Sequence, residues 1–216
     1  MPKPIAFDPD CRHCPRLSAF LAAVRDEHPD YYARPVPPFG DPNPRLLVVG
    51  LAPGMHGANA TGRPFTGDYA GILLYKTLHD YGFSNRGVSK SVDDGLILKD
   101  CRITNAVKCL PPGNAPTTGE VNECNAYLRE EIAALNPGTV ILALGTVAHQ
   151  AVLKALKLKA SAHPFSHGAE HRLINGLILM DCYHSSRYNM NTGRLTDAMF
   201  RRVFDRIAAR LRGGKG

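Results

Sequence analysis

Cys11 and Cys14 form a C-x2-C pair near the amino terminus, and Cys109 and Cys124 stand in the middle of the chain with fourteen residues between them. Four thiolates brought together hold either zinc or an iron–sulfur cluster, and spacing alone does not choose the metal. Cys101 and Cys182 open and close apolar runs and read as small buried hydrophobes. A second chemical signal is GLAPGMHGANATGRPFTGDYAG, Gly50 to Gly71, where six of 22 residues are glycine. Its backbone is suited to passing close to a ligand, although it has neither a phosphate-loop Gly-Lys-Ser/Thr ending nor dinucleotide-fingerprint spacing. Phe65 and Asp68 deliver an aromatic face and a carboxylate at the start of a helix, where the carboxylate would equally serve as a cap. Asn105 interrupts the apolar stretch ITNAVKC; its amide either reads the edge of a pyrimidine or purine or satisfies a core contact. His184 opens a polar loop, HSSRYNMNTGRLT, after another apolar run, a position suited to donating toward developing negative charge. Ser185 beside it permits a nucleophile reading, but no G-x-S-x-G elbow is present.

Positioning these groups falls to short apolar runs at Leu46–Leu51, Arg102–Lys108, Thr139–Leu144 and Leu177–Cys182, the pattern of strands covered on both faces. A helix is predicted at Pro15–Glu27, and others begin near Asp68, Gly119, Thr146 and Thr196, the last with Thr196 as N-cap and Gly213 past its end. The Pro-rich stretch Pro35–Pro44 reads as a loop. Strand and helix alternate four times, which predicts an α/β fold with a mainly parallel sheet and functional loops at the strands' carboxyl ends. In the final helix Met199, Val203, Ile207 and Leu211 form a core-facing stripe, leaving Arg201, Arg202, Arg206 and Arg210 for phosphates or solvent.

The 216 residues carry 26 Lys plus Arg against 19 Asp plus Glu, a net charge of +7 that suits a polyanionic partner. With 44% hydrophobic and 21% charged residues, the composition is that of one soluble domain spanning 1–216. No run approaches the roughly 20 apolar residues of a membrane span. The Pro-containing, acidic start lacks the apolar run of a secretory signal, so a reducing cytoplasm is expected.

Taken together, GLAPGMHGANATGRPFTGDYAG, ITNAVKCLPPGNAPTTGEVNEC and YHSSRYNMNTGRLT resemble the family 5, or type B, uracil-DNA glycosylases, in the same order and over most of the chain. The resemblance implies a three-layer α/β/α fold around a four-stranded, mainly parallel sheet, with a [4Fe-4S] cluster on Cys11, Cys14, Cys109 and Cys124. It further implies a catalytic role for Asp68, a base-facing role for His184, a substrate-binding role for Gly50, stacking of the flipped base on Phe65, and contact of Asn105 with the polar edge of the base. Ala52 matches the small residue that this family has where other uracil glycosylases place a polar catalytic one. The implied partner is DNA containing uracil or other deaminated bases such as hypoxanthine. The implied enzyme is a monofunctional monomer in a bacterial or archaeal cytoplasm. Arg187, Tyr188 and Met190 are the candidates to enter the duplex. Two positions depart from the family pattern: Ser185 replaces a common proline after the histidine, and Ala60 replaces an often basic residue. The competing readings are an iron–sulfur electron carrier or redox sensor, and a nucleic-acid-binding module without chemistry; neither gives work to Phe65, Asp68, Asn105 and His184 together.

Overall fold

The computed structural model describes residues 5–213. Its helices are α1 (Pro15–Glu27), α2 (Ala58–Thr61), α3 (Tyr69–Asp80), α4 (Thr118–Ala133), α5 (Thr146–Ala155), α6 (Arg187–Asn191) and α7 (Asp197–Gly213). Its strands are β1 (Phe39–Gly40), β2 (Leu46–Gly50), β3 (Cys101–Asn105), β4 (Val140–Leu144), β5 (Glu170–Arg172) and β6 (Ile178–Cys182). They form one sheet in the order β1-β3-β2-β4-β6-β5, whose four inner strands are parallel. The expected four-stranded sheet is therefore the centre of a six-stranded one, closed at each edge by an antiparallel strand. Both added strands are short: β1 lies inside the Pro-rich stretch expected to be a loop, and β5 is the polar Glu-His-Arg. Neither has an apolar run to announce it, because an edge strand makes its ladder without being covered on both faces.

β2 and β4 are buried throughout. On one face, Leu46, Val48 and Ile103 pack with Leu74 and Leu78 of α3 and Phe200, Phe204 and Ile207 of α7. On the other, Leu47, Val49 and Ile141 meet Leu128 of α4 and Val152 of α5. Alternate strand residues thus feed opposite cores, and three layers result. A third cluster joins α1, through Leu17, Leu21 and Val24, to Val107, Leu110 and Tyr127.

Local signals set the helix ends. Thr117 and Glu120 make a reciprocal capping box at the start of α4. Thr196 accepts the Met199 N–H at 3.2 Å before α7, which runs to Gly213 itself. Three of the four arginines singled out on α7 point to protein partners: Arg201 pairs with Asp80 and Asp197, and Arg206 and Arg210 pair with Glu170 of β5. They fasten α7 to α3 and to the sheet edge. Among the described residues, no helix is long and apolar enough to cross a membrane.

Candidate active site

The parallel ladder sets Gly50, the last residue of β2, beside Asn105, the last residue of β3. β3 ends there, two residues after Ile103, rather than continuing to Lys108. A Cβ on Gly50 would lie 2.4 Å from Asn105 Oδ1 and 2.6 Å from Phe65 Cζ, so glycine is what lets the ring and the amide close over the strand end. Asn105 is 3% exposed, and its Oδ1 has no hydrogen-bond partner among the described residues. A buried carbonyl oxygen left unpaired costs about 1–3 kcal/mol, a cost that a ligand's N–H recovers.

Phe65 is buried in a left-handed backbone conformation, φ 57°, unusual for an aromatic residue. The preceding segment is anchored by Arg63, itself buried, which donates to Asp94 (2.8 Å), Ser89 (2.9 Å) and the Val92 carbonyl (2.7 Å). Burial pushes the Asp94 carboxyl upward, but Arg63 and backbone N–H groups outweigh it and hold the group below the usual carboxylate range. Sequence spacing did not reveal this anchor, since its partners lie 26 to 31 positions away.

Asp68 occupies the N-cap position of α3, yet its carboxylate does not cap the helix. Oδ2 instead accepts the Ala58 N–H at 3.2 Å, and the group lies against Gly54 and Gly57, where a Cβ would come within 2.5 and 1.8 Å of Oδ1. Burial raises the Asp68 pKa above the ordinary carboxylate value, with the Ala58 hydrogen bond pulling the other way. His184 follows β6, and its ring stacks near Phe65 with centroids 6.0 Å apart and an interplanar angle of 27°. Burial pushes its pKa down to about 4, so the imidazole is neutral near pH 7.

The loop carrying His184 is held without the common proline. Ser185 is fully buried and donates its Oγ–H to the Ala70 carbonyl at 3.0 Å, in the first turn of α3 and two residues past Asp68. Asn189 Nδ2 donates to the His184 carbonyl at 2.8 Å, and Ser186 caps α6. The hydroxyl next to the histidine is thus occupied in anchoring. Ala60 sits in α2, where its carbonyl accepts the Tyr32 N–H.

Phe65, Asp68, Asn105 and His184 line one cavity of about 420 Å³ together with Ala52, Gly54, Tyr69, Asn114 and Arg187. Asn114 was not singled out from the sequence; its place in the PPGN turn between Cys109 and Cys124 is the only signal it carries. Arg187 is exposed and lies over the Tyr69 ring, 5.1 Å from its centroid. Tyr188 is 70% exposed, whereas Met190 is half-buried against the core.

Cys11, Cys14, Cys109 and Cys124 line a separate recess with Leu17, Val107 and Tyr127. All four are free thiols, and the Lys108 backbone N–H donates to Cys124 Sγ at 3.2 Å. Cys14 is pushed up to about 11 by burial and by the nearby Cys124, Glu120, Cys11 and Glu123. Such a set gains from a cation at its centre, which neutralises the thiolates. Lys108, 1% exposed, joins the recess to the cavity: its Nζ donates to the Asn105 carbonyl at 3.0 Å, to Glu131 at 2.6 Å and to Thr104.

Residues 37–208 match the family model of the uracil DNA glycosylase superfamily. The type-5 uracil-DNA glycosylase of Thermus thermophilus is 48% identical over 200 residues, 89% of this chain and 90% of that protein. That of Pyrobaculum aerophilum is 46% identical over 206 residues, 93% and 88% of the two chains. A type-4 uracil-DNA glycosylase of the same organism is 37% identical over 131 residues, 60% and 59%. Matched over about nine-tenths of its length at this level, the chain belongs to the uracil-DNA glycosylase superfamily and, within it, to the type-5 glycosylases.

Proposed function

We propose that this protein excises uracil from DNA by hydrolysing the N-glycosidic bond, leaving an abasic site without cutting the strand. The observation that carries the reading is the single cavity shared by Phe65, Asp68, Asn105 and His184. Its size suits one extruded nucleotide, and a glycosidic bond within a duplex is out of reach until the base is flipped. The Phe65 face stacks on the base, and the Asn105 amide pairs with its edge, Oδ1 accepting the ring N–H and Nδ2 donating to a carbonyl. As the bond breaks, positive charge builds on the sugar and negative charge on the base. Asp68 stabilises the first and orients water. Neutral His184 donates a hydrogen bond to the second. With its pKa at about 4 the imidazole is already neutral at pH 7 and donates through its remaining N–H.

Arg187 and Tyr188, exposed at the rim, are the groups that meet the duplex, with Met190 supporting their loop. Every group invoked comes from one chain, so a monomer suffices. The small Ala52 leaves the pocket free of a second polar constraint, which extends the substrates to hypoxanthine, whose carbonyl and N–H edge resembles that of uracil. Cys11, Cys14, Cys109 and Cys124 hold a [4Fe-4S] cluster; the all-thiol donor set and the N–H to Cys124 Sγ support this. When bound, the cluster supplies a covalent staple between the amino-terminal segment and α4.

Duplexes carrying a single uracil, hypoxanthine, thymine or adenine, treated with protein and then alkali, test both levels. Scission at uracil and hypoxanthine but not at thymine or adenine is expected. Scission confined to uracil defeats the broad pocket, and no scission at uracil defeats the activity. Anaerobic metal analysis should give about four irons per chain; zinc lost on replacing Cys14 would refute the cluster.

A further inference from the structure

On the α4–α5 side of the sheet, α5, β5 and β6 gather a second set of donor atoms. His149 Nδ1 lies 2.7 Å from Asp181 Oδ1, His171 Nε2 lies 3.3 Å from Asp181 Oδ2, and one ligand atom from each of the three residues falls within 4.8 Å of the others. Asp181 has no exposure, His149 is 2% exposed, and His171 is half-buried on the edge strand. A carboxylate so completely removed from water requires a compensating charge.

His149 is oriented from both sides of its ring: Nδ1 faces Asp181 at 2.7 Å and Nε2 faces the His163 carbonyl at 2.9 Å. The same orientation suits a metal ion on Nδ1. The neutral ring then coordinates through Nδ1 and donates Nε2–H to the carbonyl, the outer contact that metal-bound imidazoles make. Zinc ligands at about 2.0–2.2 Å in a tetrahedron stand roughly 3.3 Å apart, between the 2.7 Å of the closest pair and the 4.8 Å limit of the set seen here.

We propose that His149, His171 and Asp181 form a binding site for a divalent transition-metal ion, Zn²⁺ before others, with water completing the tetrahedron. Two imidazoles and one carboxylate make a donor set that suits zinc over hard cations. Any proton shared between His149 Nδ1 and Asp181 is displaced to solvent when the metal binds. The ion ties α5 to β6 and to β5, an edge strand of only three residues, and so braces the strand from which the His184 loop departs. The site is independent of the glycosylase reading and of the four thiols.

The purified full chain, dialysed anaerobically against EDTA and then given a small excess of ZnCl₂, should retain about one zinc per chain. Its melting temperature should rise while iron content and visible absorbance stay unchanged. His171→Gln, a change on the partly solvated edge strand, should weaken zinc binding by about tenfold or more and abolish the thermal shift, with circular dichroism and iron unaltered. Asp181→Asn should do the same. No zinc uptake by the parent chain overturns the proposal in favour of a plain His–Asp–His hydrogen-bond network. Equal zinc uptake by the parent and His171→Gln overturns it by placing the ion elsewhere.

Discussion

Asp68 is held in an environment that suits its work better than its stability. Its folded-state pKa is raised by burial, so the folded chain binds that proton more tightly than the unfolded chain does. The resulting stabilisation is present at acid pH and is lost as pH rises through the folded value. At neutral pH the ionised carboxylate therefore weakens the fold, and Asp68→Asn should melt at a higher temperature than the parent while losing activity. The same shift moves the acid limb of the pH–rate profile upward from where an ordinary carboxylate would set it, and mutating Asp68 should remove that displacement. Linkage runs the other way for His184: stability falls as pH drops from the unfolded value of 6.5 toward about 4. Gly50→Ala tests the packing directly. A methyl 2.4 Å from Asn105 Oδ1 and 2.6 Å from Phe65 must push one of them aside, so excision should fall by at least about tenfold, the scale of a misplaced catalytic group. Single-turnover rates alongside thermal melts would separate this from unfolding, and an unchanged rate would show that the cavity does not act as described.

Between elements, two small bonds have large leverage. Ser185 Oγ–H to the Ala70 carbonyl joins the loop of His184 to the helix that presents Asp68. Ser185→Ala should cost about 0.5–1.5 kcal/mol through the lost hydrogen bond and slow excision with little change in uracil-DNA affinity; equal effects on binding and rate would contradict a positioning role. Arg16 of α1 makes a two-pronged contact with Glu120 of α4, 2.8 and 2.7 Å, and Glu120 also completes the capping box with Thr117. This clamp joins the Cys11–Cys14 segment to the helix carrying Cys124. With the proposed cluster on those thiols, Arg16→Ala should therefore speed iron loss to a chelator without altering the melt of the sheet. Elements of this kind were unevenly legible in the sequence. The four inner strands and α1, α3, α4, α5 and α7 were announced by apolar runs, periodicity and caps. By contrast β1, β5, α2 and α6 have two to five residues each, too few for a period, and owe their shape to neighbours. In the site, Phe65, Asp68, Asn105 and His184 were legible because their types are out of place in their local setting. Arg63, Lys108 and Asn114 were not, because each acquires its meaning from partners or walls that only folding supplies.

Over the whole molecule, the parallel sheet brings the ends of β2, β3 and β6 to one rim, and that rim gathers an aromatic face, an amide with an unpaired oxygen, a neutral imidazole and a carboxylate of raised pKa. A net charge of +7 supplies a general attraction to a polyanion. The three arginines of α7 that are paired within the protein contribute little to contacts with it, whereas Arg187 stands exposed at the rim of the cavity. The proposed reaction is base release in this cavity, with Asp68 and His184 acting on charge formed in the transition state. The most direct measurement is the single-turnover rate of free uracil release from a duplex with one uracil, compared among the parent chain, Asp68→Asn and His184→Ala at enzyme concentrations that saturate the DNA. The account predicts release by the parent and a fall of about 10²–10³-fold in each variant, with DNA affinity nearly unchanged. Release by both variants at the parental rate would contradict it.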